Sequence, residues 1–292
     1  MITPSGLAET VLWGIANGGI YILLATGLNI IFGVMKLVNF AHGQLLMVGA
    51  FIAYETTSIV GLNPYLSIFV SMGSVALIGI MLEKFAFRRV RGTEKLNEIF
   101  ISLGLIYVFQ SVATLFWEKN YNIRIPSPLG GLSLVIGEIS INYDRIVAMI
   151  IVIVILIGIV LLTRKTKMGL AMRATSQKSD ASMLMGINVG RVYLFTFAVG
   201  AALAGAAGAL YGILSSFNPA TGALPTIKAF AIIILGGLGS IPGAVTGGLL
   251  YGIAENTAAY LTNGIWQDAV AFVLLIAVLV IRPTGLFGEK GE

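Results

Sequence analysis

The sequence has no cysteine and one histidine, His42. The first absence excludes disulfides, thiolate metal ligands and thiol nucleophiles. The two together leave a structural zinc site without its usual ligands. Charge is also scarce: Asp, Glu, Lys and Arg make up 11% of 292 residues, against about 25% in an ordinary soluble domain. No G-x-x-x-x-G-K-[ST] loop, H-E-x-x-H helix or G-x-S-x-G elbow occurs. The chain therefore has no P-loop with which to hydrolyse ATP and neither of those two hydrolase signatures. No catalytic residue, cofactor or metal is expected. The first basic residue is Lys36, so there is no positive n-region of a secretory signal, and the first apolar helix is expected to be retained.

Apolar runs fill the chain instead. Hydrophobic residues make up 57% and mean hydropathy is +0.95. Uncharged runs at 10–35, 37–54, 56–82, 99–117, 146–163, 192–227 and 229–254 are long enough to cross a bilayer, and a last segment, 264–281, carries only Asp268. The expectation is an all-α, polytopic transmembrane helix bundle of about eight membrane segments, two of them interrupted by Gly or Pro. It forms one domain over 1–292. Six helices are read at 8–34, 39–60, 64–83, 97–117, 146–163 and 190–214.

The net charge of +5 would suggest nucleic acid in a soluble protein, but eleven of the 18 basic residues sit in two short loops, 84–98 and 164–191. Such clustering marks cytoplasmic loops beside a lipid bilayer, so no nucleic-acid partner is expected. Loop 118–145 balances three basic with three acidic residues and is expected outside. Counting crossings puts the N-terminus outside and the C-terminus in the cytoplasm. Segment 226–261 must then begin and end outside, folding back at LGGLGSIPG (235–243), whose glycines and proline break a helix. Broken backbone at membrane depth must face protein or water.

A second irregular stretch, VNFAHGQ (38–44), places Asn39, His42 and Gln44 in an otherwise apolar setting. Polar groups there are costly against lipid and should face the bundle interior. Two readings stay open: they line a path for a polar solute, together with Gly236, Gly237 and Gly239 of the second break, or they tie helices together by hydrogen bonds. Both irregular stretches run from an aliphatic segment through a break into a Gly-rich helix ending in Glu, as paired interrupted segments of transporters do. Asn17, Asn29 and Gln110 read as packing residues. Glu255 and Asn256 read as solvated or snorkelling groups toward the outer surface, ahead of substrate ligands, and Lys228 and Asp268 as ordinary groups near the outer boundary, ahead of a salt link with each other or a contact with a docked binding protein.

The segments GLNIIFGVMKLVNFAHGQLLMVGAF, MGLAMRATSQKSDASMLMGINVGRV, GGLGSIPGAVTGG and RPTGLFG, in this order, closely resemble the LivH-type permease of bacterial branched-chain amino acid ABC importers. The resemblance implies a subunit of an ATP-driven importer in the bacterial inner membrane. Its implied partners are a second permease, two cytoplasmic ATPases and a periplasmic amino-acid-binding protein. Asp180-Ala181-Ser182 followed by Gly186 resembles the EAA-x-x-x-G loop by which ABC permeases dock their ATPases, with Asp for Glu and Ser for the second Ala. A short helix from about Thr175 to Met185 would expose Met183, Leu184 and Met185, with Asp180 near its middle, Arg173 and Lys178 supplying charge, and Gly186 ending it. The competing reading of this loop is a solvated anchor that obeys the charge rule. For the whole chain the alternative is a self-sufficient secondary transporter or channel for a small polar solute.

Overall fold

The structure, a computed structural model, describes residues 3–117, 122–282 and 284–288. Helix starts follow the local sequence. Thr3, Asn63, Asn142, Asn188 and Ser240 each accept a backbone N–H of the turn that follows, and proline occupies the first positions after Thr3, Asn63 and Ser240. The helices are α1 (Pro4–Met35), α2 (His42–Ser58), α3 (Pro64–Leu82), a π-helical turn (Glu83–Phe87) running into α4 (Arg88–Val90), α5 (Lys95–Trp117) and α6 (Tyr143–Lys165). They continue with α7 (Lys167–Gln177), α8 (Ser179–Leu184), α9 (Val189–Leu214), α10 (Ala223–Gly236), α11 (Ile241–Thr262) and α12 (Gln267–Ile281).

Five helices are long and apolar enough to cross a membrane: Pro4–Met35, Pro64–Val90, Lys95–Trp117, Tyr143–Lys165 and Val189–Leu214. α10 and α11 add a pair bent by 118° at the glycine-rich break, the fold-back expected for 226–261. α2 and α12 have 17 and 15 residues. The chain is a polytopic helical membrane protein.

α1 and α9 form the centre, whereas α5 and α6 present apolar side chains outward along most of their length. Close approach at the centre needs small residues. A Cβ at Gly14 would lie 2.8 Å from the Gly252 carbonyl oxygen, one at Gly18 2.8 Å from that of Gly248, and one at Gly49 2.7 Å from Gly205 Cα. α1 thus packs backbone to backbone on α11, and α2 on α9.

Side-chain contacts sort the loops into two ends. At one end Thr3 N–H donates to the Tyr260 hydroxyl, Tyr65 O–H to Asp144, Trp117 Nε1–H to Glu55, and Ile123 pairs with Phe217. The chain between α5 and α6 also forms a hairpin here, β1 (Ser133–Ile136) with β2 (Ile139–Asn142), turning at Gly137 with φ +63°. The all-α expectation missed this hairpin, although S-L-V-I-G-E-I-S-I-N carries the alternating apolar residues and the Gly turn that signal one. At the other end α7 packs on α1, α6 and α9, and the basic loops 84–98 and 164–191 lie together.

Candidate translocation pathway and coupling surface

α1 stops where Lys36 turns left-handed (φ 55°), and α2 starts at His42, three residues later than the apolar pattern suggests. The delay arises because the Asn39 carbonyl side chain accepts the Ala41 N–H at 3.0 Å, a local turn that competes with helix. The chain meanwhile climbs back beside α1. The His42 imidazole sits against Gly27, where a Cβ would be 3.0 Å from Nε2. Gly27 lies eight residues inside the end of α1, roughly 12 Å of helix rise. Gly43 N–H donates to Thr226 Oγ1 at 3.1 Å, and the Gln44 amide rests on Gly222.

Asn39, His42 and Gln44 are all fully buried, as expected, and Thr26 of α1 joins them. The Leu24 carbonyl lies beside the imidazole, yet neither ring nitrogen meets hydrogen-bond geometry. Thr26 Oγ1, Asn39 Nδ2 and both polar atoms of the Gln44 amide also have no partner among the described residues. A buried unpaired donor or acceptor costs about 1–3 kcal/mol. Among the described residues Asn39 keeps one local bond, through its side-chain oxygen, and the side chains of His42 and Gln44 have none.

The second break is the opposite case. Gly237 and Gly239 take φ of +104° and +87°, conformations open to glycine. Asn29 of α1 spans the break, donating to the Ser240 carbonyl at 2.7 Å and accepting Gly239 N–H at 2.6 Å. The last turn of α10 is closed by the chain's own end: Leu286 N–H donates to the Leu235 carbonyl and Phe287 N–H to that of Gly236, both at 2.9 Å. A Cβ at Gly237 would lie 2.9 Å from Gly288 Cα, and Gly236 packs on Gly243. Residues 284–288 thus form a strap over the break. The two groups expected to share one path sit apart: Gly43 and Gln44 meet the start of α10 at Thr226 and Gly222, while Gly236, Gly237 and Gly239 lie at or beyond its end. Thr226 and Gly236 are ten residues apart, roughly 15 Å of rise.

The salt link open to Lys228 and Asp268 is present, and it belongs to a larger charged cluster that sequence reasoning did not assemble. Lys228 on α10 pairs with Glu255 on α11, stands 2.9 Å from Asp268 on α12 and 3.5 Å from the Tyr21 hydroxyl on α1. Gln267 Nε2–H donates to Glu255 at 3.1 Å. Lys228 and Glu255 are 7% and 1% exposed, so they are buried within the bundle and not solvated. Their distance along the chain from the break put them near the outer face; packing of α12 over the hairpin buries them. Asn17, by contrast, is a packing residue as read, bonded to Asn256 at 3.0 Å and to Arg145 at 3.1 Å.

At the basic end the helix expected over 175–185 is two helices. Lys178 is extended (φ −153°) between α7 and α8. Asp180 therefore falls in the first turn of α8, where a carboxylate favours a helix N-terminus, and not in mid-helix. Arg173, Asp180 and Ala181 are exposed. Met183, Leu184 and Met185 are 53%, 89% and 83% exposed, and Gly186 ends the turn at φ +80°. Three adjacent apolar side chains point away from the bundle at its charged end.

The family described as "Branched-chain amino acid transport system / permease component" matches residues 10–279. The chain belongs to it. It is 35% identical to the high-affinity branched-chain amino acid transport system permease protein BraD of Pseudomonas aeruginosa and 34% identical to LivH, of the same description, of Escherichia coli (strain K12). Each match covers 94% of this chain and 94% of the relative. Among solved structures it is similar to PsaBC from Streptococcus pneumoniae in complex with Fab, with a TM-score of 0.51 and 14% identity over 96% of this chain and 94% of that one, a likeness of fold. The protein is a membrane-spanning permease component of an ABC importer, and a permease component works inside a larger transport system.

Proposed function

We propose that the chain is one permease domain, 1–292, that carries branched-chain or other aliphatic amino acids across the bacterial inner membrane. The observation that carries this reading is that Thr26 Oγ1, Asn39 Nδ2, both His42 ring nitrogens and the Gln44 amide are buried near the first helix break without a partner among the described residues. Inside a membrane bundle, polar atoms without protein partners are satisfied by water or by a passing solute. Neutral amides and a hydroxyl offer donors and acceptors to a zwitterion without binding it so tightly that it cannot leave.

The chain has no nucleotide-binding loop, so the energy comes from elsewhere. Met183, Leu184 and Met185, with Arg173, Asp180 and Ala181 beside them and Gly186 fixing the turn, form a knob for a cytoplasmic ATPase. Two such ATPases, a second permease subunit and a periplasmic amino-acid-binding protein complete the importer; nucleic acid has no part in it. The permease itself performs no chemistry. The clustered basic loops support an N-terminus outside and a strap in the cytoplasm.

The test is reconstitution with a second permease, the ATPases and a binding protein, measuring ATPase stimulation and uptake over a panel of amino acids. Stimulation by none of them, or by amides alone, overturns the substrate. Leu184→Asp is expected to lower co-purification of the ATPases and uptake together at unchanged membrane insertion; normal recovery of both would remove the knob from the mechanism. For orientation, cysteines placed at Asn122 and Ser176 are treated with an impermeant reagent on spheroplasts, and labelling of Asn122 alone is expected.

A further inference from the structure

The charged cluster of α1, α10, α11 and α12 belongs to neither break. Glu255 stands seven residues before the end of α11, roughly 10 Å below that end, in a bundle where isolated charge is expensive. One ammonium, Lys228, stands between two carboxylates, Glu255 and Asp268. With all three ionised the cluster holds one negative charge in excess. Acceptors are in surplus as well: Glu255 Oε2 and the Tyr251 hydroxyl, both fully buried, have no partner among the described residues. The Asp268 side chain is 48% exposed and forms the open side of the group.

A buried ion pair is weak evidence for stability, because well-packed apolar residues of similar volume usually replace it without loss. Its presence here asks for another use. We propose that Lys228, Glu255 and Asp268 bind the charged head of a zwitterionic α-amino acid, the solute carboxylate taking Lys228 while its ammonium takes Glu255 and Asp268. The exchange keeps every charge paired. Two internal contacts, of Lys228 with Glu255 and with Asp268, are traded for contacts of the solute carboxylate with Lys228 and of its ammonium with the two carboxylates, so the zwitterion loses its water against fixed partners of opposite sign. A solute with only one of the two charges leaves a buried partner unpaired and is disfavoured. The inference rests on the amino-acid reading given above.

The test uses the complete transporter carrying the double substitution Lys228→Met/Glu255→Gln, which removes both charges at similar volume. Recovery of the complex and its melting temperature are expected to hold, while leucine uptake falls by about tenfold or more, as for loss of a buried charge partner. Lys228→Arg, which keeps the charge, is expected to retain uptake. Uptake by the double variant within about twofold of the unsubstituted complex would make the cluster structural and overturn the proposal. If the double variant does not assemble, Asp268→Asn decides on its half-exposed side chain: reduced uptake at an unchanged melting temperature supports the site, and undiminished uptake overturns it. Failure of the unsubstituted complex to take up any amino acid is a different result, since it removes the amino-acid reading itself.

Discussion

The two breaks begin alike in sequence and end as opposites. Each follows an aliphatic run and leads into a Gly-rich helix, α2 or α11, that packs backbone to backbone on a central helix. At 235–240 the freed polar groups are taken up by Asn29 and by the strap residues Leu286 and Phe287. At 36–44 only the Asn39 side-chain oxygen, the Gly43 N–H and main-chain turns are paired, and the polar atoms of His42 and Gln44 are left over. A break in a membrane helix is therefore no sign of a pathway by itself. What separates a hinge or seal from a path is whether the polar groups it exposes already have partners.

The largest effect is expected at the sealed break. Gly237→Leu forces a left-handed conformation costing about 1–2 kcal/mol and collides with the strap at Gly288. Recovery of folded protein, read by size-exclusion chromatography in detergent, should drop severalfold; normal recovery would mean that the strap does not lie on the break. Asn29→Leu comes next. It strands the Ser240 carbonyl and Gly239 N–H, at about 1–3 kcal/mol each, so melting temperature and uptake should fall together. The smallest effect on stability, and the sharpest contrast, is expected from Asn39→Leu and from Gln44→Leu. Gln44→Leu deletes atoms that have no partner and Asn39→Leu loses one local bond, so the melting temperature should change by no more than a degree or two while uptake falls. A fall in melting temperature in step with uptake would return these residues to the role of helix ties.

Much of this molecule was legible in the chain. Local rules placed the fold-back between α10 and α11, the burial of Asn39, His42 and Gln44, and the exposed Met183–Met185 knob, because lipid, helix geometry and backbone hydrogen bonding leave few options. Even the hairpin at 133–142 had a local signal. The division of α7 from α8 at Lys178 was harder to see, since Ala, Met and Leu on both sides favour helix and only the Ser179–Asp180 start competes.

By itself, then, the sequence determined that the protein spans a membrane, where its helices break and which of its loops are basic. Tertiary structure alone decided the partners of those breaks. Asn29 lies about 210 residues from the carbonyl and amide it holds, the strap caps a helix that ended some fifty residues earlier, and Lys228 finds Glu255 and Asp268 across two other helices. Spacing along a chain carries the period of a helix, but not which faces meet. Whether a buried polar atom is satisfied or left open to a solute depends on those meetings.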